Sequence, residues 1–174
     1  MKNHVKSGIC KENIFTNFFN KSAKSLQNYL YYKFGNQAQA EDITQEAFIK
    51  LWQNCANVPL EKAKSYLYTI ANNASLNIIA HNKVVLNYEK SNVANESTLT
   101  ESPEFILEEA EFKTKLLTAI ENINETQRVA FLMHRIDGKK YTEIALELNI
   151  GVKAVEKRIH QALLEIRKEF KHFK

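Results

Sequence analysis

Glycine and proline are scarce in this chain, with four and two in 174 residues. So few turn-formers leave little room for a fold of many short strands, and apolar residues spaced three and four apart almost throughout argue for an all-α protein. Cysteine is nearly absent too. Cys10 and Cys55 are too few and too far apart in the sequence for a disulfide framework, and no His pair has ligand spacing near them, so both read as reduced thiols and no metal site is expected. No apolar run approaches the roughly 18 residues of a membrane helix, and Met1 to Gly8 has no signal-peptide core. Membrane insertion is therefore not expected, and the cytoplasm is the expected compartment. No nucleophile and base, phosphate loop or metal-ligand cluster stands out, so neither catalysis nor a cofactor is expected.

What is present is an uneven charge. The net charge is +4. Between Glu89 and Glu111 seven acids face the single base Lys90, whereas from Lys153 to the end seven bases face three acids. The basic end is the better anion-binding surface.

Helical periodicity divides the chain. A first helix is predicted over Ile14 to Phe34, with Phe15, Phe18, Phe19, Ser22, Leu26, Tyr29 and Leu30 on its apolar side and Gly35-Asn36 ending it. A second runs from about Ala40 to Asn54, and a third from Glu61 to His81 with Tyr66, Leu67, Ile70, Ala71, Ala74 and Ile78 on one side. Three such helices with short turns make a bundle. Periodicity then fades into Asn, Ser, Thr and Glu, which reads as a flexible linker. Beyond it come a helix from Glu104 to Asn122 and another from Asn124, a candidate N-cap with Gln127 three residues on, to Ile136 before Asp137-Gly138. Two small domains follow: 1–83 and 104–174, joined by an acidic linker at 84–103.

The C-terminal domain carries the most specific local pattern. Ile144, Ala145 and Leu148 form one apolar stripe, and Val152, Val155 and Ile159 form a second after a short break, as in a helix-turn-helix. Ala145 is small where the helices cross, and Asn149 tolerates the left-handed backbone that the turn requires. Lys153, Ala154, Lys157, Arg158 and Gln161 are left on the outer face. Lys and Arg suit phosphates and guanine, and Gln suits an adenine edge, so this face fits a major groove of duplex DNA.

The second helix carries Ala40-Glu-Asp-Ile-Thr-Gln-Glu-Ala-Phe-Ile-Lys-Leu-Trp52. Ile43, Ala47 and Leu51 point to the core, leaving Asp42, Gln45, Glu46, Ile49 and either Trp52 or Gln53 outward. A solvated helix explains the acids but not an exposed Trp, whereas interfaces use such aromatics as anchors.

This segment resembles the core-polymerase-binding helix of bacterial RNA polymerase sigma factors, in particular the small extracytoplasmic-function members of the sigma-70 family. Asn124-Glu-Thr-Gln-Arg-Val-Ala-Phe-Leu, Asp137-Gly, Tyr141-Thr-Glu-Ile-Ala and Val155-Glu-Lys-Arg-Ile-His-Gln-Ala resemble region 4 of the same family. The two motif sets stand in the right order about a linker. The resemblance implies a subunit that binds core RNA polymerase and directs it to promoter DNA, and it admits an anti-sigma factor as a further partner. It assigns core binding to Asp42, Gln45, Glu46, Phe48 and Trp52. It assigns an extruded promoter base to the loop from Asn54 to Lys64, and the melted strand to Tyr66, Tyr68, Asn72, Asn73, Asn77, His81, Asn82 and Lys83. Aromatics and amides suit unstacked bases. In the residues themselves, at least one of Tyr66 and Tyr68 also reads as core.

Two departures from the family pattern follow. Ala80-His-Asn-Lys83 replaces a basic cluster, which lowers the expected DNA affinity of this domain alone. Lys140 and Gly151 stand where Ser or Thr would cap the two helices of the motif. Two other readings remain open: a helix-turn-helix regulator that acts without polymerase, opposed by the Asp42 to Trp52 face, and a purely protein-binding adaptor, opposed by Lys157 and Arg158. The acidic linker beside a basic domain predicts self-inhibition of the free protein by electrostatic competition with DNA.

Overall fold

The computed structural model describes residues 8–76 and 103–170. Among the described residues all regular structure is helical, as the shortage of turn-formers requires. Helix α1 spans Glu12–Phe34. Gly35 closes it at φ 69°, a left-handed conformation that a Cβ would strain, with its N–H bonded to Tyr31 O at 2.7 Å. Helix α2, Gln37–Gln53, starts earlier than its apolar periodicity predicts because Asn36 caps it, the side-chain oxygen accepting from the Gln39 N–H at 3.0 Å. A 3-10 turn, Cys55–Asn57, leads to α3, Leu60–Leu76. The rest of the predicted third helix, to His81, lies outside the described residues.

These three helices enclose Leu26, Leu30, Ile43, Leu51 and Leu67, all buried. Each large aliphatic side chain so enclosed contributes about 1.5–3 kcal/mol. At the far end the edges of Phe15, Phe18 and Phe19 meet the Phe48 ring at centroid distances of 6.2, 6.2 and 4.7 Å.

The cysteines depart from expectation. Cys10 and Cys55 form a disulfide, with Cα atoms 5.2 Å apart despite a sequence separation of 45. The error lay in reading sequence distance as spatial distance. Helices α1 and α2 form an antiparallel hairpin, and a helix advances about 1.5 Å per residue, so the chain before α1 returns beside the chain after α2.

The C-terminal bundle comprises α4 (Pro103–Asn122), α5 (Glu125–Arg135), α6 (Tyr141–Leu148) and α7 (Val152–Glu169). Asn124 caps α5 as predicted, its Oδ1 accepting from the Thr126 N–H at 3.0 Å. Gln127 does not complete a capping box and instead donates to Gln161 Oε1 at 3.1 Å. Helices α6 and α7 form the predicted helix-turn-helix. Asn149 takes φ 52° in its turn, and Ala145, Ile144, Val155 and Ile159 are buried at the crossing. Lys140 offers no acceptor to cap α6, but its own N–H is bound by Glu143 Oε2 at 2.8 Å. Val152 is exposed, outside the stripe expected to contain it.

The bundles pack on one another, α5 against α1 and α6 against α3. Arg128, nearly buried, joins them. Its Nε donates to Tyr32 O at 3.0 Å and Nη2 to Lys33 O at 3.3 Å, while Nη1 donates to Glu121 O and Ile123 O at 3.2 and 3.0 Å. Two helix C-termini, each the negative end of a dipole with unpaired carbonyls, thus share one guanidinium.

Candidate functional site

Three surfaces carry the residues singled out by sequence. The first lies along α1 and α2. Asp42, Gln45 and Glu46 are exposed, with Glu46 paired to Lys50 at 2.6 Å. Beside them Phe19, Ile49 and Trp52 are 41, 57 and 43 % exposed, a large apolar area to leave in water. They flank a shallow groove of about 850 Å³ whose wall also includes Phe15 and Cys10. Trp52 stands edge-on to Phe15 at 4.8 Å, which fixes its ring at the groove's side. Phe48 is not a surface contact, as the motif suggested, but a 4 % exposed residue beneath it. Four residues after Thr44 and three before Leu51, both buried, it falls on the buried side of α2, where it supports the exposed aromatics from below.

The second surface is α3. Tyr66 is half-buried, and its hydroxyl accepts from Asn54 Nδ2 at 2.7 Å. Tyr68 is core rather than surface: it is 2 % exposed, its hydroxyl lies 2.7 Å from Ser25 Oγ, and burial pushes its pKa well above the usual phenol value. Asn72 is occupied, its Oδ1 accepting from Lys33 Nζ at 2.6 Å and Tyr29 OH at 3.3 Å. Asn73 is exposed. Asn77, His81, Asn82 and Lys83 lie outside the described residues, as does the linker.

The third surface is α7. Lys153 and Lys157 are exposed, as a reading face requires, and Ala154 is half-exposed. Gln161 is already bonded to Gln127, and Arg158 lines a cleft of about 330 Å³ between the bundles with Tyr29, Asn72 and Glu125. Gln161 is therefore engaged inside the molecule, and Arg158 faces the cleft rather than standing with the lysines.

A polar network that sequence reasoning missed holds this closed arrangement. Lys139 Nζ donates to Ser25 Oγ and to Glu147 Oε2, both at 2.6 Å, and Glu147 also pairs with Lys64 at 2.7 Å. Asp137 Oδ1 accepts from Tyr32 OH at 2.7 Å and Asn28 Nδ2 at 2.8 Å. Lys33, its pKa lowered by burial and held up by Glu125, pairs with that carboxylate at 3.5 Å. Glu147 is 1 % exposed. An acid three residues after Ile144, on the apolar stripe of α6, was the signal in the sequence. Full burial of a carboxylate between two lysines is sustainable only because both charges approach it. Among the described residues no group of acids, His and Cys could hold a metal, and no helix is long and apolar enough to cross a membrane.

Two family profiles match the chain in the order that its bundles suggest: Sigma-70 region 2 over residues 18–84 and Sigma-70, region 4 over residues 113–166. A helical bundle carrying the first, followed by a helix-turn-helix domain carrying the second, defines a transcription initiation factor of the sigma-70 type. The chain is 30% identical to the ECF RNA polymerase sigma factor SigW of Bacillus subtilis over 151 residues, covering 81% of this chain and 80% of that one. It is 25% identical over 138 residues to the ferric citrate uptake sigma factor FecI of Escherichia coli, covering 79% and 80%. The sigma factor RpoE of Bartonella quintana, solved in complex with the anti-sigma factor NepR, shares the fold at a TM-score of 0.54 and 14% identity, with 92% of this chain and 98% of that one covered. The chain belongs to the extracytoplasmic-function class of sigma factors, which direct promoter-specific transcription by RNA polymerase.

Proposed function

We propose that this sigma factor divides its work among the three surfaces. The groove of α1 and α2 docks on core RNA polymerase, with Trp52 and Ile49 as apolar anchors and Asp42, Gln45 and Glu46 as a polar rim. The loop from Asn54 and the exposed side of α3, including Tyr66 and Asn73, take the melted downstream element. Lys153 and Lys157 of α7 meet the upstream element as duplex, joined by Arg158 once the bundles separate. Residues 1–83 and 104–174 are the two working domains and 84–103 the tether. The protein acts by binding rather than by bond chemistry, in the cytoplasm with the polymerase, and its groove or its interdomain cleft is available to an anti-sigma factor.

The observation that carries the reading is the exposed cluster of Phe19, Ile49 and Trp52 beside an acidic rim. Interface anchors combine a desolvatable aromatic with a surrounding polar ring, and here both lie on one accessible face. Co-purification with core polymerase tests it. The wild-type chain is expected to be retained and Trp52→Ala to be lost while circular dichroism stays helical; retention of both would overturn the assignment of this face.

A further inference from the structure

The disulfide occupies a position that the initiation reading leaves unexplained. Cys10 forms part of the wall of the α1/α2 groove, next to Phe15 and Trp52. Cys55 opens the 3-10 turn of the loop proposed to hold an extruded base. Neither residue is fully buried.

The two ends of the bond are held unequally. On the Cys10 side, Ile9 is fully buried and Gly8 takes φ 98°, where an added Cβ would come to 3.7 Å from Leu60 Cβ. Helices α1 and α2 are joined through their own core, including the Phe48 cluster. On the Cys55 side, the loop is kept in shape by two backbone bonds, Asn57 N–H to Asn54 O at 3.0 Å and Val58 N–H to Cys55 O at 3.3 Å. Side-chain bonds from Asn57 to Asn54 and from Asn54 to Tyr66, both 2.7 Å, and the buried Val58 complete it. A covalent tie at Cys55 therefore restricts the loop much more than it restricts the helices. Chain segments ordered before binding lose less entropy on binding.

We propose that Cys10 and Cys55 form a reversible thiol–disulfide site, served by dithiol reductants and disulfide oxidants, that sets how well the Asn54 to Lys64 loop takes a promoter base. The proposal rests on the assignment of that loop above. In the reducing direction a dithiolate attacks one sulfur, giving a mixed disulfide and releasing the other as a thiolate that takes a proton. The second thiol of the reductant then closes its own disulfide, so that two electrons and two protons reach Cys10 and Cys55. The oxidised form has the ordered loop. The reduced form keeps the groove, and with it polymerase binding, but loses readiness for the melted strand.

The test compares the air-oxidised full chain with the same chain reduced by dithiothreitol, and with Cys55→Ser. Iodoacetamide should modify both cysteines only after reduction. Amide exchange at residues 55–58 of the free protein should accelerate on reduction. In holoenzyme, promoter opening followed by 2-aminopurine fluorescence in the downstream element should fall about tenfold in the reduced form, with core affinity changed less than twofold. Cys55→Ser should match the reduced protein and ignore dithiothreitol. Alkylation of both cysteines before reduction, or equal exchange and equal opening in the two states, would overturn the proposal. A chain that forms no holoenzyme in either state would refute the polymerase reading instead, and the exchange rates at 55–58 would then decide the redox site alone.

Discussion

The first bundle presents two candidate binding faces, and the C-terminal domain treats them differently. The groove of α1 and α2 lies open, with Trp52 and Ile49 in solvent. The face of α3 is covered where α6 crosses it: Tyr68 is buried, Lys64 is paired with Glu147, and Asn72 is bonded to Lys33 beside the cleft that holds Arg158. The closed molecule can therefore meet a protein partner on one face before it can meet DNA on the other. With the roles proposed above for the two faces, the expected order of steps is polymerase first and promoter second. The difference between the faces also sets beside the expected cause of self-inhibition, long-range competition by an acidic linker outside the described residues, a short-range one, burial of polar groups where the bundles meet.

The largest effect should come from breaking the cover. Glu147→Ala leaves the buried ammonium of Lys139 without its nearest carboxylate. Loss of one partner from a buried pair costs about 3–5 kcal/mol, and this loss falls on the contact between bundles. Small-angle scattering should show an expanded molecule with unchanged helix content, and the free protein should bind promoter DNA more tightly than wild type. A compact variant with unaltered DNA affinity would mean that the network does not hold the domains together.

Trp52→Ala acts on the open face and should leave the cover intact. Truncating such an anchor costs about 2 kcal/mol or more, roughly a thirtyfold loss of affinity for core polymerase by fluorescence titration. Scattering from the free variant should match wild type. An expanded free variant would show that the two faces are coupled after all.

The comparison sharpens within α7. In the free protein Lys157→Ala should weaken binding to upstream-element duplex, because that side chain is exposed, whereas Arg158→Ala should have little effect while Arg158 lines the cleft. In holoenzyme Arg158→Ala should cost about 1–3 kcal/mol, with relaxed base preference if it reads a base edge. Equal losses from the two substitutions in the free protein would show Arg158 already on the reading face.

The smallest effect belongs to the tether. Replacing Glu89, Glu96 and Glu101 by Gln should raise the DNA affinity of the free protein by less than about twofold at 0.01 M salt, and not measurably once the Debye length falls to about 10 Å near 0.1 M. A tenfold rise in gel-shift affinity would return self-inhibition to the linker.

Most helices were legible because their cause is local. Apolar residues at three- and four-residue spacing place α1, α3, α5, α6 and α7, and the residues that start or end them are read from their own chemistry: Gly35 and Asn149 in left-handed conformations, Asn124 as an N-cap. The start of α2 was missed for the same kind of reason, since the cap Asn36 lies ahead of any apolar repeat. The open face was largely legible as well. An acid-rich helix with a Trp outside its core stripe is visible in one dimension; Phe48, included only by the family resemblance, lies buried beneath that face.

The sequence by itself thus determined an all-helical chain, the helix-turn-helix and its family, because periodicity, capping and motif order are properties of neighbours along the chain. Only the tertiary structure decided which of those residues are free to act. Tyr68, Asn72 and Gln161 have the right chemistry for bases, yet their partners Ser25, Lys33 and Gln127 come from other helices, and Arg158 lines a cleft between the bundles. The same holds for Cys10 and Cys55, brought together by an antiparallel turn of α1 onto α2. A side chain's type is written in the sequence, but its availability depends on burial and on hydrogen bonds closed across tens of residues, and those exist only once the helices have packed.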